Sequence, residues 1–251
     1  MKILWLTFLL PFAIINVAAQ SNGNGFYTKF GFNGYTAGWH NMKAVVNDYG
    51  GTNPNMIYNL GELSTQLGFT TALGYSFDNW NGTWVEATHY TSRCSITMNE
   101  VRSPSDTDAS TFSFVSRQFN FTYGINIYNE DLVRFGLYTG LAGNLIKMQT
   151  VSSYIPPGGQ MLFRTAGVLS GGTLKKIGVV SYTSIPIGAT FMLGEDWGLS
   201  VSGFWNIPLT SVSMIAFRNK VNPNNPALFP ENAYSSRTGG VGFHLCMFFG
   251  E

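Results

Sequence analysis

Between Gln66 and Phe77 the chain reads QLGFTTALGYSF, and its alternate positions separate into two unlike faces. Leu67, Phe69, Thr71, Leu73, Tyr75 and Phe77 form one; Gln66, Gly68, Thr70, Ala72, Gly74 and Ser76 form the other. A period of two is that of a β-strand. The smaller face carries no Lys, Glu or Arg, so it suits a crowded barrel interior, and the bulky face then turns to lipid.

The same alternation recurs along the chain. It predicts a first strand near Phe26 to Trp39, with Phe30 and Phe32 outward and Lys29, Gly31, Asn33 and Tyr35 inward. A polar segment, His40 to Glu62, precedes the strand just described, which ends in a turn at Asp78 to Gly82. Strand three spans about Thr83 to Ile96, with Trp84, Glu86, Thr88 and Tyr90 on one side. Glu86 is placed inward, because a carboxylate in hydrocarbon is costly. A polar loop at Thr97 to Ser110 leads to strand four, Thr111 to Tyr128, with Phe119, Phe121, Tyr123, Ile125 and Ile127 outward. Strand five, Leu132 to Ile146, turns Val133, Phe135, Leu137 and Leu141 out and Arg134, Tyr138 and Asn144 in. A long loop covers Lys147 to Gly172. Strand six, Thr173 to Leu193, contains Pro186, which predicts a bulge or a weakly paired site. Strand seven is Gly198 to Leu209, loop Thr210 to Arg237 follows, and Gly239 to Phe249 is last.

Eight strands with connections alternating long and short predict an all-β, eight-stranded antiparallel up-and-down transmembrane β-barrel. Short turns are periplasmic and long loops extracellular in such barrels. Trp80 and Trp197, in two short turns, suit an interfacial aromatic belt. Composition points the same way. Charged residues are 11% of the 251, against roughly 25% in soluble domains, while glycine (29) and aromatic residues (15%) are plentiful. A net charge of +1 and the absence of basic runs give no sign of nucleic-acid binding. Lys2, the apolar run Leu4 to Val17 and the small residues Val17-Ala18-Ala19 read as an export signal over residues 1–19, cleaved near Ala19. Residues 20–251 are then one barrel domain, and an exported barrel belongs in a Gram-negative outer membrane.

Three charges are expected in the lumen at similar depth, Lys29, Glu86 and Arg134, with Glu86 pairing to Arg134, Lys29 or both, since a buried charge must be neutralised. Cys94 and Cys246 fall at different depths, too far apart to bridge, and are expected as free structural thiols. His89, Ser92 and Glu86, or His40 at a mouth, are the candidates for hydrolytic chemistry. Glu86 and His89 lie on opposite faces, so no triad is expected, and no catalytic residue, metal site or cofactor follows from the spacing. His244 is expected to satisfy a lumen hydrogen bond. Lys147, Arg164, Lys175, Lys176, Arg218, Lys220 and Arg237 lie in or beside the third and fourth outer loops, opposed chiefly by Glu231. They are candidates for a basic rim that contacts lipopolysaccharide phosphates.

On these features the mature chain resembles the small eight-stranded outer-membrane barrels, the OmpA barrel and its OmpX-like relatives. It is most similar to the single-domain outer membrane protein β-barrel families of Bacteroidota. Gly242, Leu245, Met247, Phe248 and Phe249 resemble the aromatic-ended signal read by the barrel-assembly machinery, departing from it by the added Gly250-Glu251. The resemblance implies that machinery as a partner in biogenesis, with outer-membrane lipid around the barrel. Unlike in OmpA, nothing follows the barrel in this sequence, so no peptidoglycan-binding domain is expected. The expected function is non-enzymatic, structural or exerted through the extracellular loops on a partner protein, lipopolysaccharide or a surface glycan. A narrow pore is the alternative, disfavoured by the inward Tyr35, Trp84, Tyr90 and Tyr138, and a lipid A-modifying enzyme is the second alternative.

Overall fold

The computed structural model describes residues 25–37, 40–51, 55–60, 65–77, 82–103, 106–130, 132–155, 173–237 and 239–250. Its main strands are β1 (Gly25–Ala37), β2 (Thr65–Ser76), β3 (Thr83–Ser103), β4 (Asp106–Glu130), β5 (Val133–Ile155), β6 (Thr173–Gly194), β7 (Trp197–Pro208) and β8 (Gly240–Gly250). Each pairs antiparallel with its sequence neighbours, and β8 returns to pair with β1 from Tyr27–Gly250 to Ala37–Gly240. The fold is a closed eight-stranded barrel. Closure leaves no strand edge to satisfy in hydrocarbon, the condition for spanning a bilayer with strands.

The alternation seen in the sequence becomes the wall. Phe69 and Phe121 are 66% and 62% exposed, whereas Gln66, Thr70, Ser76, Asn120 and Thr122 are buried toward the axis. A broad band of exposed Phe, Leu, Ile and Val residues encircles the molecule. Water would penalise so large an apolar surface, and a bilayer does not. Trp197 stands exposed at the short β6–β7 connection, while Trp80 and the segment of residues 1–19 lie outside the described residues.

Strand ends agree with the pattern to within about two residues at the short-turn end. The outer side differs. Thr97 to Ser110 is not a loop: β3 runs on to Ser103 and β4 begins at Asp106, with continuous pairing from Thr97–Thr111 to Val101–Thr107. Small polar and β-branched residues there fit a strand standing in water. Likewise β5 continues past Ile146 to Ile155, and the rest of that predicted loop falls outside the described residues. Four adjacent strands, β3 to β6, are therefore 21–25 residues long, and the other four are 11–13. A tilted span needs only about 9–11. One half of the barrel rises as a wall above the membrane while the other half stops near its surface.

Two connections leave the short half and fold against the tall one. His40 to Glu62, expected as a polar loop, contains helix α1 (His40–Gly50), and the Thr210 to Arg237 loop contains helix α2 (Ile215–Val221) and a 3-10 turn (Glu231–Tyr234). Met42, Ala44, Val45 and Val46 of α1 are buried, which the surrounding Asn and Gly residues masked in the sequence. Past α1, Met56–Ile57 adds a short rung to β3 above the end of β2. Pro186 removes one donor from the β5 ladder. Pairing lapses between Thr139–Ile187 and Ala142–Ser184 but resumes in the same register, so the site is weakly paired rather than bulged.

Placing a cation in the apolar band tests the membrane assignment. Phe121→Arg should destabilise the barrel in lipid vesicles by about 2–4 kcal/mol in denaturant titrations. A cost near zero would mean that this face is not in hydrocarbon.

Candidate functional site: a filled lumen beneath a packed cap

Toward the short-turn end, Glu86 is the hub. Lys29 Nζ lies 2.7 Å from Glu86 Oε2, and both side chains are buried. Tyr27 donates its hydroxyl proton to Oε2 at 3.0 Å, and Thr88 donates to Oε1 at 2.7 Å. The ammonium also faces the rings of Tyr27 and Trp84, at 5.2 and 5.5 Å from their centroids. Tyr27 reaches Glu86 by crossing Gly74, where an added Cβ would stand 2.1 Å from its ring. Gly74 is therefore what lets the hub form.

Arg134 does not join this cluster. Sheet stagger explains it: Glu86 pairs with Thr122, Thr122 with Gly140, and Arg134 lies six residues further toward the short turns, about 20 Å along the strand. Arg134 instead donates to the Glu195 carbonyl at 3.2 Å and faces the Phe248 ring at 6.0 Å.

Higher in the lumen, rings from four strands meet. Tyr35 and Tyr90 each stack on Phe204, at 5.9 and 5.8 Å, and His244 packs 4.4 Å from Tyr90 and 4.8 Å from Phe204. The expected hydrogen bond of His244 is absent. Its Nε2 has no hydrogen-bond partner among the described residues, and ring packing holds it. Beside these rings Gln118 of β4 and Asn206 of β7 exchange two hydrogen bonds, 3.3 and 3.1 Å, from nearly opposite walls. Gln118 also donates to Asn120, which donates to the Tyr90 hydroxyl. A cavity of about 20 Å³ bounded by Asn33, Tyr35, Tyr90, Gln118, Asn144 and Phe204 remains, room for about one water.

The mouth is closed by a second core. Ile96, Met98, Phe112, Phe114, Ile146 and Met148, on the inner face of the tall wall, are fully buried with Met42, Val45 and Val46 of α1. Tyr49 meets Phe112 edge-on at 5.2 Å, and Phe217 of α2 packs over Gly178 of β6. Asp48 of α1 pins the two connections together. It pairs with Arg218 of α2 and takes the Leu228 backbone N–H on its other oxygen at 2.7 Å. Asn222 donates to the Asp48 carbonyl at 3.2 Å, and Arg218 Nη2 donates to the Asn225 carbonyl at 2.7 Å. Burial raises the pKa of the Tyr234 phenol above its ordinary value, and the nearby Asp48 carboxylate adds to the rise.

The basic rim is thus not one set. Arg218 is buried in the cap against Asp48, a partner from the His40 to Glu62 segment that the sequence pattern did not point to. Lys220 and Arg237 are exposed on the cap, and Lys147 is half-buried on the outer wall. Lys175 and Lys176 lie on β6, opposite Thr150 and Gln149, and Arg164 lies outside the described residues. The hydrolytic candidates stay apart: Glu86 is inside, His89 stacks on Phe119 outside at 4.6 Å, Ser92 donates to Gln66 inside, and His40 is exposed at the start of α1. Both cysteines are free and buried, and no cluster of three metal-ligating groups exists among the described residues.

No protein-family model matches the chain, so the resemblance to the Bacteroidota barrel families gains no support there. No curated protein matches it either. Several solved structures do. The attachment invasion locus protein of Yersinia pestis aligns over 92% of this chain and 100% of its own, at 11% identity and a TM-score of 0.43. The outer membrane protein OprG of Pseudomonas aeruginosa aligns over 91% and 96%, at 9% identity and a TM-score of 0.41. Neisserial surface protein A aligns over 91% and 97%, at 8% identity and a TM-score of 0.41. At that overlap the assignments rest on this chain's own geometry.

Two substitutions test the buried charges. Glu86→Gln leaves Lys29 without its counter-ion and should cost about 3–5 kcal/mol of barrel stability, read from the denaturant midpoint in detergent; an unchanged midpoint would mean that the pair is hydrated. Asp48→Ala should cost about as much, but locally, raising hydrogen exchange in α1 and α2 while the barrel strands keep their protection.

Proposed function

We propose that this is a non-enzymatic outer-membrane protein that acts through its capped extracellular end and does not conduct. The observation that carries the reading is the Gln118–Asn206 amide pair, which ties opposite walls together in the middle of the lumen. Stacked rings above the Lys29–Glu86 pair, and α1 in the mouth, add two further layers that a solute would have to displace.

The cap suits recognition. Residues 223–230, PNNPALFP, are exposed, and they carry Leu228 and Phe229 at the surface between Pro226 and Pro230. Asp48 and Arg218 hold that segment by its backbone at Leu228 and Asn225. A fixed loop with exposed apolar side chains loses little entropy on meeting a partner protein or glycan.

Reconstitution in planar bilayers tests the reading. The wild-type barrel should show no discrete conductance, and Asp48→Ala alone should not create one, since the amide pair and rings lie below the cap. Stable single-channel steps from the wild type would favour the pore instead. A changed lipid A mass profile in an overproducing strain would favour the enzyme, which the separation of Glu86, His89 and Ser92 disfavours.

A further inference from the structure

The outward positions of β3, β4 and β5 are apolar or uncharged up to one level, and there they carry three cations. Val115 of β4 is opposed by Arg93 of β3 on one side and by Lys147 of β5 on the other. Arg117 follows two residues along the same face, opposite Thr91 and Leu145. Strand spacing places the Arg93 and Lys147 backbones about 10 Å apart, with Arg117 about 7 Å from Val115 along β4. Arg93 and Arg117 are exposed and Lys147 is half-buried. Arg93 Nε donates to Ser113 Oγ at 2.8 Å, which lays the guanidinium along the wall.

Solvated surface cations are normally interspersed with acids. The outward positions of these strands from Val85 to Thr97, Thr111 to Ile127 and Val133 to Gln149 contain no acid at all. Among the described residues, none of the three cations pairs with a carboxylate, unlike Lys29 with Glu86 and Arg218 with Asp48. Three like charges around one valine repel one another unless an anion joins them. Directly below stand Phe119, stacked on His89, then Phe121 and Leu141, so the anion must also belong to something that tolerates hydrocarbon.

We infer that Arg93, Arg117 and Lys147 form a binding site on the outer wall for a phosphorylated lipid, specifically a lipid A phosphate. The two guanidinium groups and the ammonium take the phosphate oxygens by charge-assisted hydrogen bonds. The acyl chains lie down the wall over His89 and Phe119, where a shallow depression extends past Phe69, Leu73, Phe30 and Phe32. The choice of lipid A follows from side. The cluster sits at the edge of the apolar band away from the short turns, which is the lipopolysaccharide leaflet if the outer-membrane reading above holds.

The test compares wild type, the triple variant R93Q/R117Q/K147Q and a cap control, K220Q/R237Q, each extracted from outer membranes in mild detergent. Lipid A retained per barrel after washing is measured by native mass spectrometry. The triple variant should retain about tenfold less than wild type, the control should match wild type, and R93K/R117K/K147R should recover part of the loss. In add-back experiments, dephosphorylated lipid A should bind wild type about tenfold more weakly than intact lipid A does. That arm needs no variant and decides the matter if the triple variant does not fold. Equal retention by folded wild type and triple variant would overturn the site, as would equal competition by phosphatidylglycerol, which would assign a general anionic-lipid surface. Heat-modifiable mobility and outer-membrane fractionation are scored separately; their loss in wild type would instead overturn the outer-membrane reading.

Discussion

The backbone N–H and C=O groups of a β-strand in hydrocarbon have no partner except another strand, and this requirement governs the molecule. It forces β8 back onto β1, and closure fixes the number of inward side chains that must share one narrow interior. Glycines and small residues then become necessary on that face. Gly74 passes beneath Tyr27 and Gly124 beneath Trp84, because those rings cross neighbouring strands to reach the axis. The Lys29–Glu86 pair follows from the same crowding. A carboxylate there is held only because an ammonium and two hydroxyls surround it.

The barrel's two halves solve different problems. The short half spans the membrane and ends. The tall half continues into water, where its inner face is apolar again: Ile96, Met98, Phe112 and Phe114 would be exposed without a cover. Helix α1 supplies that cover, and α2 holds it in place through Asp48 and Arg218. The outer end is therefore a small soluble core built on a membrane wall. Its stability is set by hydrophobic packing and one buried ion pair rather than by the bilayer.

Much of this was legible in the sequence, for a physical reason. Residues that face lipid on one side and a packed lumen on the other must alternate strictly, so strand faces and the inward Lys29, Glu86 and Arg134 could be read from period two alone, but not which cation Glu86 pairs with. Depth could not. Arg134 seemed level with Glu86 because each stands a few residues from its turn, yet stagger between strands accumulates around the ring and separates them. Above the membrane the outer face meets water, alternation weakens, and Thr97 to Ser110 reads as a loop although it is strand. Helix α1 was hidden because its polar residues, Asn41 and Asp48, are spent inside the cap and not on a solvated face. Arg93 and Arg117 shared the parity of the lipid-facing residues. That was a signal in the sequence, but it gains meaning only when the register sets them around Val115 beside Lys147.

The ion pair in the cap also imposes an order on assembly. Asp48 lies 170 residues before Arg218 and 180 before Leu228. Helix α1 emerges between the first two strands, yet its partners are carried by the connection before the last one. Until the ring closes, α1 has no finished wall and no α2 to rest on. Its buried asparagine and aspartate gain nothing from forming early, because such distant contacts must wait for chain closure. The cap is then the last part of the molecule to fold, on the far side of the membrane, and a protected α1 marks a barrel whose ring is already complete.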